Sequence, residues 1–378
     1  MHRSIFLLSV LVCVWAHPGM AFEAFYAPPG ARAMGMNGVF AAQANDGTAI
    51  WYNPAGLMQK NISQGEFSFD TGQVPFLKRQ QSFSGEHKNV KFIGGFLSGL
   101  PKQPVFLPSL QGKAGVGLAM LAPYHVTVDV TAPIDLLRNE AFGLLSALYR
   151  QVSPAIAWQL QESLSLGATL DYIWTDIECE KPTRCDEKGA NGYGYSFGAL
   201  WNKTLANRAI FSLSGLLRSK AKLGYREVTQ YSLGELFLQY LPGRPSVRNI
   251  TMGYNVLLGS TRLNINMLYE QTHWRTYPAF DRNRQSLDTD VRYRRWGSGG
   301  EVLMPFFDRY VVMLRGGVSR AKTNDFSSVS KIWSASLGLG LAIRSTHFID
   351  YAVERRRVTQ LSGAQSSWLW SLSYAIQY

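Results

Sequence analysis

The C-terminal segment alternates between two kinds of side chain with a period of two. From Trp368 to Ile376 every second residue is aromatic or aliphatic, and the residues between them are small apart from Leu369. A period of two predicts β-strands, and an apolar face opposite a small, polar face is typical of strands that separate lipid from a barrel lumen. Residues 333–343 and 164–174 repeat the pattern. A soluble sandwich also alternates, but its polar face usually carries more charged residues.

The spacing of the alternating segments predicts how the strands are connected. Tight connections at 161–162, 258–260 and 344–345 each follow an even-numbered strand. Outer-membrane barrels have short periplasmic turns and long external loops. We therefore predict an all-β fold, an outer-membrane antiparallel β-barrel of about 14 strands. In this scheme the third strand covers 112–124, the fourth 148–160 and the seventh 207–228.

The N-terminus reads as an export signal. Arg3 precedes an apolar run from Ile5 to Trp15, and Gly19-Met20-Ala21 offers a cleavage site. The run is too short to span a bilayer as a helix, so we predict a signal peptide over 1–21 and an outer-membrane location after export. Its removal takes away one basic residue and no acidic one, which leaves most of the formal charge of +12. For an exported chain this favours lipopolysaccharide phosphates as the anionic partner, and no nucleic acid is expected.

A stretch rich in glycine and alanine, residues 30–57, separates the leader from the strands. It is neither strand-like nor amphipathic, which predicts a compact plug over 22–62 followed by a barrel over 63–378. The stretch resembles the N-terminal hatch of the FadL-type outer-membrane transporters for long-chain fatty acids and hydrocarbons. The residues that carry the resemblance are Gly30, Arg32, Gly35, Asp46, Asn53, Pro54 and Ala55.

The resemblance implies passive uptake of fatty acids or other hydrophobic small molecules. It implies external capture, an internal apolar pocket, rearrangement of the hatch and a lateral exit at the third strand, where Gly115, Gly117 and Pro123 weaken strand pairing. The mature N-terminus is expected to reach into the pocket, with Phe22, Phe25 and Tyr26 as apolar contacts; the alternative is that these rings fill a gap beside the hatch.

Arg315 is the cation predicted to meet a ligand carboxylate, because a buried carboxylate needs a partner. The alternative is that Arg315 pairs with a lumen carboxylate such as Asp350 or Glu354.

Two long external connections contain helix-like apolar segments. Such groups are costly in water unless they pack together or meet an apolar ligand. They fit the family's external capture surface, and the alternative is that they seal the barrel mouth. The predicted capture residues are Leu137, Phe142, Leu145, Leu236, Phe237 and Tyr240.

Cys179 and Cys185 lie close together in a polar stretch, and an oxidising compartment favours a disulfide between them over two free thiols. Basic residues at the external strand ends suit lipopolysaccharide phosphates, with an ordinary solvated rim as the alternative. The predicted lipopolysaccharide contacts are Arg294, Arg295, Arg355 and Arg356.

The sequence offers no pattern that supports catalysis. The histidines are scattered, and no Cys or His spacing suggests a metal site, so we expect no enzyme activity, no metal and no cofactor. Gly194 to Gly198 matches the nucleophile-elbow string of hydrolases but lies in an alternating strand rather than a strand-to-helix turn. The terminal aromatic resembles the recognition strand that outer-membrane barrels present to their insertion machinery. We expect a monomer; the competing hypothesis is a 14-stranded secretion-accessory or surface-binding barrel.

Overall fold

The computed structural model describes residues 21–26, 29–59, 64–75, 87–99, 114–129, 144–179, 191–205, 209–223, 243–275, 290–307, 309–325, 328–360 and 363–377. The first described strand is β1, Ala21–Tyr26. Short helical turns follow at Ala31–Gly35, Ala41–Gln43, Ala49–Tyr52 and Pro54–Gln59. The remaining strands are β2 Gln64–Pro75, β3 His87–Gly99, β4 Ala114–Asp129, β5 Leu144–Gln161, β6 Leu164–Cys179, β7 Asn191–Leu205, β8 Ala209–Arg218, β9 Ser246–Leu258, β10 Thr261–Arg275, β11 Asp290–Phe306, β12 Tyr310–Asp325, β13 Ser328–Ile343, β14 His347–Gln360 and β15 Gly363–Gln377.

Strands β2 to β15 form one closed antiparallel barrel. Each pairs with its neighbours in sequence, and β15 pairs with β2 to complete the ring, with Gln377 opposite Gln64. Closure pairs every barrel strand on both sides over at least part of its length, as a membrane-spanning sheet requires. The predicted 14-stranded β-barrel is confirmed.

The two faces of the wall differ as the alternation predicts. On β6, Leu170 and Tyr172 are exposed on the outside, whereas Thr169 and Asp171 are buried on the lumen side. The outer face is rich in exposed leucine, isoleucine, tyrosine and tryptophan along most strands. This is the surface of a barrel that faces lipid. None of the helices in the described ranges is long and apolar enough to cross a bilayer.

The connections identify the two ends of the barrel. The turns at 162–163, 259–260 and 344–346 are tight and lie at one end, which we take as periplasmic by the rule for such barrels. The connection 100–113 is a long exception at this end. At the external end 326–327 and 361–362 are short, whereas 130–143 and 276–289 are long.

Four features differ from the prediction. The third barrel strand, β4, ends at Asp129 rather than near 124. The seventh barrel strand, β8, ends at Arg218 rather than near 228, and an isolated bridge between Ala221 and Arg244 follows it. The fourth, β5, begins at 144 rather than 148, so Leu145 is a strand residue and not a loop residue. Strand β1 lies in a stretch that was assigned to the hatch without any strand.

The described hatch, residues 29–59, packs inside the barrel. Its Ala31–Gly35 helix contacts β12 to β15, its Ala41–Gln43 turn contacts β8 and β9, and its Pro54–Gln59 turn contacts β4 to β7. Almost every residue of the segment is buried. The hatch therefore touches the wall on several sides and occupies the lumen.

Candidate functional site

One side of the hatch is attached to the wall by ionised groups. Arg32 donates from Nε to Glu301 Oε1 at 3.0 Å and from a terminal nitrogen to Glu301 Oε2 at 2.8 Å. Its other terminal nitrogen donates to Asn45 Oδ1 at 2.7 Å and to Asp46 Oδ2 at 3.1 Å. The two-pronged contact with Glu301 fixes both the position and the orientation of the guanidinium.

Glu301 is shared between the hatch and the wall. It also accepts from Arg315 Nε at 2.7 Å and from Asn264 Nδ2 at 3.0 Å, and its side chain is fully buried. Arg315 in turn donates to Asp350 on β14. We call this network the charged anchor; its members are Arg32, Asp46, Glu301, Arg315 and Asp350.

The charged anchor keeps Arg32 ionised. Burial would lower the pKa of the Arg32 guanidinium, but the charges of Glu301 and Asp46 outweigh burial and hold the pKa above its ordinary value. Arg32 is therefore a permanent cation at the centre of a network whose carboxylates outnumber its guanidiniums.

Further contacts fix the same side of the hatch. Ser336 donates to the Gly35 carbonyl at 3.0 Å, and Ser334 donates to Asn37 Oδ1 at 2.8 Å. Arg295 donates to both oxygens of Asn37, whose φ of 58° lies in the left-handed region that asparagine tolerates. The row of small lumen-facing residues on β13 thus lets the hatch backbone reach the wall.

The other side of the hatch is attached by neutral groups, which we call the neutral anchor. Asn53 Nδ2 donates to the Ala199 carbonyl at 3.0 Å and to Ser214 Oγ at 2.8 Å, while Asn53 Oδ1 accepts from the Ala55 amide at 3.1 Å. Pro54 needs no amide partner. A Cβ at Gly198 would lie 2.0 Å from Asn53 Oδ1, so only glycine allows this approach.

The hatch between the two anchors is held by its own turn contacts. Asp46 Oδ1 accepts from the Thr48 amide at 3.0 Å and from the Thr48 hydroxyl. Gly30 has a φ of 87°, and a Cβ there would meet Thr48 Cγ2 at 2.7 Å. All of the predicted hatch residues therefore lie in or beside contacts that fold the hatch or attach it to the wall.

Three aromatic rings meet across the lumen on the external side of the hatch. Tyr124 lies 5.8 Å from Trp51 of the hatch and 5.3 Å from Trp274 of β10, measured between ring centroids. Strands β4 and β10 are far apart around the ring, so the group bridges the barrel interior. Arg218 stacks on Trp51 at 3.6 Å and donates to its carbonyl. The sequence assigned no role to these rings.

A second buried ion pair supports the wall beside this group. Arg244 pairs with Asp171 and donates to Gln151 Oε1 at 3.2 Å and to the Ser219 carbonyl at 3.0 Å. Ser196, the serine of the elbow-like string, lies on β7 and donates to Asp171 Oδ2 at 3.3 Å. Ser196 thus lies within a strand and bonds to the buried Arg244–Asp171 pair, rather than at a strand-to-helix turn.

Strand β4 is bordered differently along its two edges. One edge pairs with β5, with a register shift between Leu121 and Tyr124 around Pro123. The other pairs with β3 only over 116–120, although β3 pairs with β2 along its whole length. Beyond the shift, residues 124–129 pair with β1 instead. Gly115 lies before the irregularity, and a Cβ there would meet Leu57 of the hatch at 3.3 Å.

The predicted ligand contacts are placed as follows. The backbones of Phe22, Phe25 and Tyr26 belong to β1 and pair with β4. Arg315 is engaged with Glu301 and Asp350, as in the alternative that names a lumen carboxylate. A ligand role for these residues stays a prediction.

The predicted lipid contacts fall on two faces. Arg294 and Arg355 are exposed on the outer surface. Arg295 and Arg356 face the lumen, where they donate to Asn37 and Glu354. The prediction of a lipopolysaccharide contact is therefore wrong for Arg295 and Arg356, because adjacent strand residues point to opposite faces.

The remaining predictions fall largely outside the described ranges. These are the capture residues Leu137, Phe142, Leu236, Phe237 and Tyr240, and Cys185 of the predicted disulfide. Cys179 ends β6 and Leu145 lies on β5. The signal peptide also lies outside, except for Ala21.

Comparison with known proteins gives a fold likeness only. No protein-family model and no curated protein sequence matches the chain. A Pseudomonas aeruginosa FadL homologue superposes with a TM-score of 0.60 at 12% identity, covering 94% of this chain and 99% of its own. The CymD monoaromatic hydrocarbon channel gives 0.58 at 12% identity, with coverages of 92% and 97%. The Ralstonia pickettii toluene transporter TbuX gives 0.57 at 12% identity, with coverages of 92% and 98%.

These alignments cover 92–94% of this chain. The resemblance read from the hatch motif is therefore confirmed at the level of the fold: the chain has a closed 14-stranded barrel that superposes on a FadL homologue and on hydrocarbon channels.

Proposed function

We propose that the chain is an outer-membrane channel through which hydrophobic small molecules, such as fatty acids or hydrocarbons, enter the cell by diffusion. The observation that carries the proposal is the folded hatch inside a closed barrel, beneath an aromatic group that bridges the lumen. Such a barrel excludes water and ions while offering apolar surface to a ligand that arrives from outside. The fold relatives named as hydrocarbon and toluene transporters support the same reading.

The first two steps of the route involve described residues inside the barrel. An apolar molecule captured outside would first meet Trp51, Tyr124 and Trp274. Rearrangement of the hatch would then release this group, because Trp51 belongs to the hatch helix Ala49–Tyr52. No reaction is part of this route, so we propose no catalytic role.

The exit that we propose is lateral, through the wall beside β4. Strand β3 does not pair with the external half of β4, which pairs instead with β1, a short segment near the N-terminus of the chain. A six-residue strand at a sheet edge is held by few hydrogen bonds, so it exchanges more readily than a wall strand. Withdrawal of β1 would open the wall toward lipid and spare the ligand the polar layers on either side.

The uptake test compares cells that lack the protein with cells that express it. We expect slower uptake of labelled toluene, a long-chain alkane or oleate without the protein, and unchanged uptake of a hydrophilic sugar. Comparing oleate with the uncharged compounds tests the predicted role of Arg315. Wild-type uptake of all three apolar compounds in the deletion strain would contradict the proposal. A co-purifying protein partner without bound lipid would favour the secretion-accessory hypothesis instead.

The exit test locks β1 to β4 with a disulfide. Ala24 and Val126 lie opposite each other, and opposed antiparallel residues are close enough for a bridge. In a background with Cys179→Ser and Cys185→Ser, the pair Ala24→Cys and Val126→Cys should stop uptake when oxidised and restore it when reduced. Each single cysteine variant is the matched control. Full uptake by the bridged protein would exclude exit by withdrawal of β1.

A further inference from the structure

The outer surface of the barrel carries a group of cations at the external ends of neighbouring strands. All are exposed, and they lie on β11, β12, β13 and β14. We call this group the basic belt; its members are Arg294, Arg320, Lys322, Lys331, Arg355 and Arg357.

Strand register places part of the basic belt in one continuous row. Arg294 lies opposite Lys322, and Lys322 lies opposite Lys331. Neighbouring strands are about 4.8 Å apart, and like charges placed directly opposite each other destabilise a sheet. Three adjacent cations on three adjacent strands therefore act against folding unless an anion lies over them.

The described side chains supply no such anion. On β11 to β15, the carboxylates Glu301, Asp350 and Glu354 all face the lumen, and no described acidic side chain of these strands faces outward. Elsewhere on the barrel a cation does have an outward partner, since Arg150 on β5 pairs with Asp176 on β6. Among the described side chains, none therefore neutralises the basic belt, and an anion from the surrounding membrane would.

Tryptophans beside the basic belt give its depth in the membrane. Trp296 is the next outward-facing residue after Arg294 on β11, and Trp333 is the next one after Lys331 on β13. Both tryptophans therefore lie slightly closer to the periplasmic end than the cations. Arg320 lies 5.1 Å above the Trp333 ring, and Arg355 lies 5.5 Å above the ring of Trp368. Exposed tryptophans of barrels sit at the level of the lipid headgroups. The cations next to them are thus at the level of lipid phosphates.

We propose that the basic belt binds the phosphate groups of a phosphorylated glycolipid in the outer leaflet, which is lipopolysaccharide in a Gram-negative outer membrane. Guanidinium groups match phosphate oxygens in pairs, and ammonium groups add point charges. Several cations spread over four strands can contact a headgroup with more than one phosphate. The tryptophans can pack against its sugar rings and the start of its acyl chains. The site depends on the placement in the outer membrane and not on transport.

The experiment uses the full chain in detergent micelles and a triple variant, Arg294→Gln, Lys322→Gln and Lys331→Gln. Binding of diphosphorylated lipid A is measured by native mass spectrometry and by titration. Each cation near a phosphate surface contributes roughly 1 kcal/mol, so we expect at least about a tenfold loss of affinity in the triple variant. The wild-type affinity should fall as salt rises.

Matched controls separate this site from general charge. Lys203, Arg309 and Arg344 are exposed cations at the opposite, periplasmic end. The variant Lys203→Gln, Arg309→Gln and Arg344→Gln removes the same charge and should bind lipid A as the wild type does. Dephosphorylated lipid A should bind the wild type as weakly as the triple variant binds lipid A.

Two results would overturn the proposal. One is equal affinity of the belt variant and the wild type for lipid A. The other is equal binding of inorganic phosphate, which would make the site one for a free anion. Folding is checked by the heat-dependent gel migration of the barrel. Without lipid, the belt variant should be as stable as the wild type or more so, because its like charges are gone.

Discussion

The charged anchor and the neutral anchor hold one hatch against different parts of the wall, the first through a network of ionised side chains and the second through one asparagine amide. At the charged anchor, Arg32 and Arg315 both depend on Glu301. At the neutral anchor, Asn53 donates to the Ala199 carbonyl and to the Ser214 hydroxyl. Breaking the first separates buried ionised side chains from each other, whereas breaking the Asn53 contacts separates only neutral groups. Release of the adjacent Trp51 would also break the bond that Arg218 of the wall donates to the Trp51 carbonyl.

This difference predicts which side of the hatch would open first in the proposed rearrangement. The neutral side costs less free energy to release, so we expect it to open first, with the hatch pivoting on the charged side. The aromatic group belongs to the mobile side by this reasoning, because Trp51 directly precedes the Asn53 region in the chain. Attachment that costs more free energy to break on one side than on the other is consistent with the proposed rearrangement, in which the hatch stays in the barrel.

Glu301→Gln should have the largest effect on the comparison. It removes the carboxylate between two buried guanidiniums, and breaking a buried pair from one side costs roughly 3–5 kcal/mol. Amide hydrogen exchange of residues 31–37 should accelerate by more than about a hundredfold, with a smaller change at 53–56. Asp176→Asn is the control, because its pair with Arg150 is exposed and contributes at most about 1 kcal/mol. Equal acceleration at both anchors would contradict two separate attachments.

Gly198→Ala should loosen the neutral anchor more than the charged anchor, the reverse of the effect of Glu301→Gln. The added methyl group would lie 2.0 Å from Asn53 Oδ1 and 2.8 Å from Pro54 Cδ, so the hatch or the strand must shift. Overpacking of this kind typically costs about 1–3 kcal/mol. Exchange should accelerate at 53–56 and change little at 31–37. Gly215→Ala is the matched control, because the nearest atom to its new methyl is 4.0 Å away. A response at the charged side as large as at the neutral side would mean that the hatch moves as one rigid piece.

Asn53→Ala tests the amide itself. Loss of the bonds to Ala199 and Ser214 should weaken the neutral anchor by about 2 kcal/mol. Asn53→Asp keeps an oxygen for the Ala55 amide but loses the donor, which separates folding of the hatch turn from attachment to the wall. We expect both variants to accelerate exchange at 53–56 and only Asn53→Ala to disturb the turn at Ala55. Slow exchange in both would remove Asn53 from the attachment.

The barrel fold and the hatch residue of each anchor could be predicted from the sequence, but the wall residues that hold them could not. Alternation predicts which residues face the lumen, because it depends only on the period of a strand, and the hatch resemblance names Arg32 and Asn53. It does not name Glu301, whose contact with Arg32 spans 269 positions. A signal existed, since Glu301 is a lone acid in the lumen-facing row of Gly297 and Gly299, where burial would require a cationic partner.

The wall beside β4 was only partly predictable. Pro123 marked the irregularity, because a proline cannot donate to a strand ladder. The pairing of 124–129 with residues 21–26 follows from where the hatch brings the N-terminus, which no local pattern records. The aromatic group was hidden for the same reason, since its three rings come from the hatch, β4 and β10.

Thr48→Val should accelerate amide exchange least of these variants, and it should affect the two anchors equally little. Thr48 is buried between the anchors and bonds Asp46 rather than the wall, so removing its hydroxyl loosens the turn and leaves both attachments intact. Asp46 keeps the Thr48 amide at 3.0 Å and Arg32 at 3.1 Å, which limits the cost to about 1 kcal/mol. Exchange at 46–50 should accelerate by less than about tenfold, with 31–37 and 53–56 close to wild type. If either anchor loosened as much as the turn, the hatch would transmit strain along its length, and the pivot described above could not act independently of its free side.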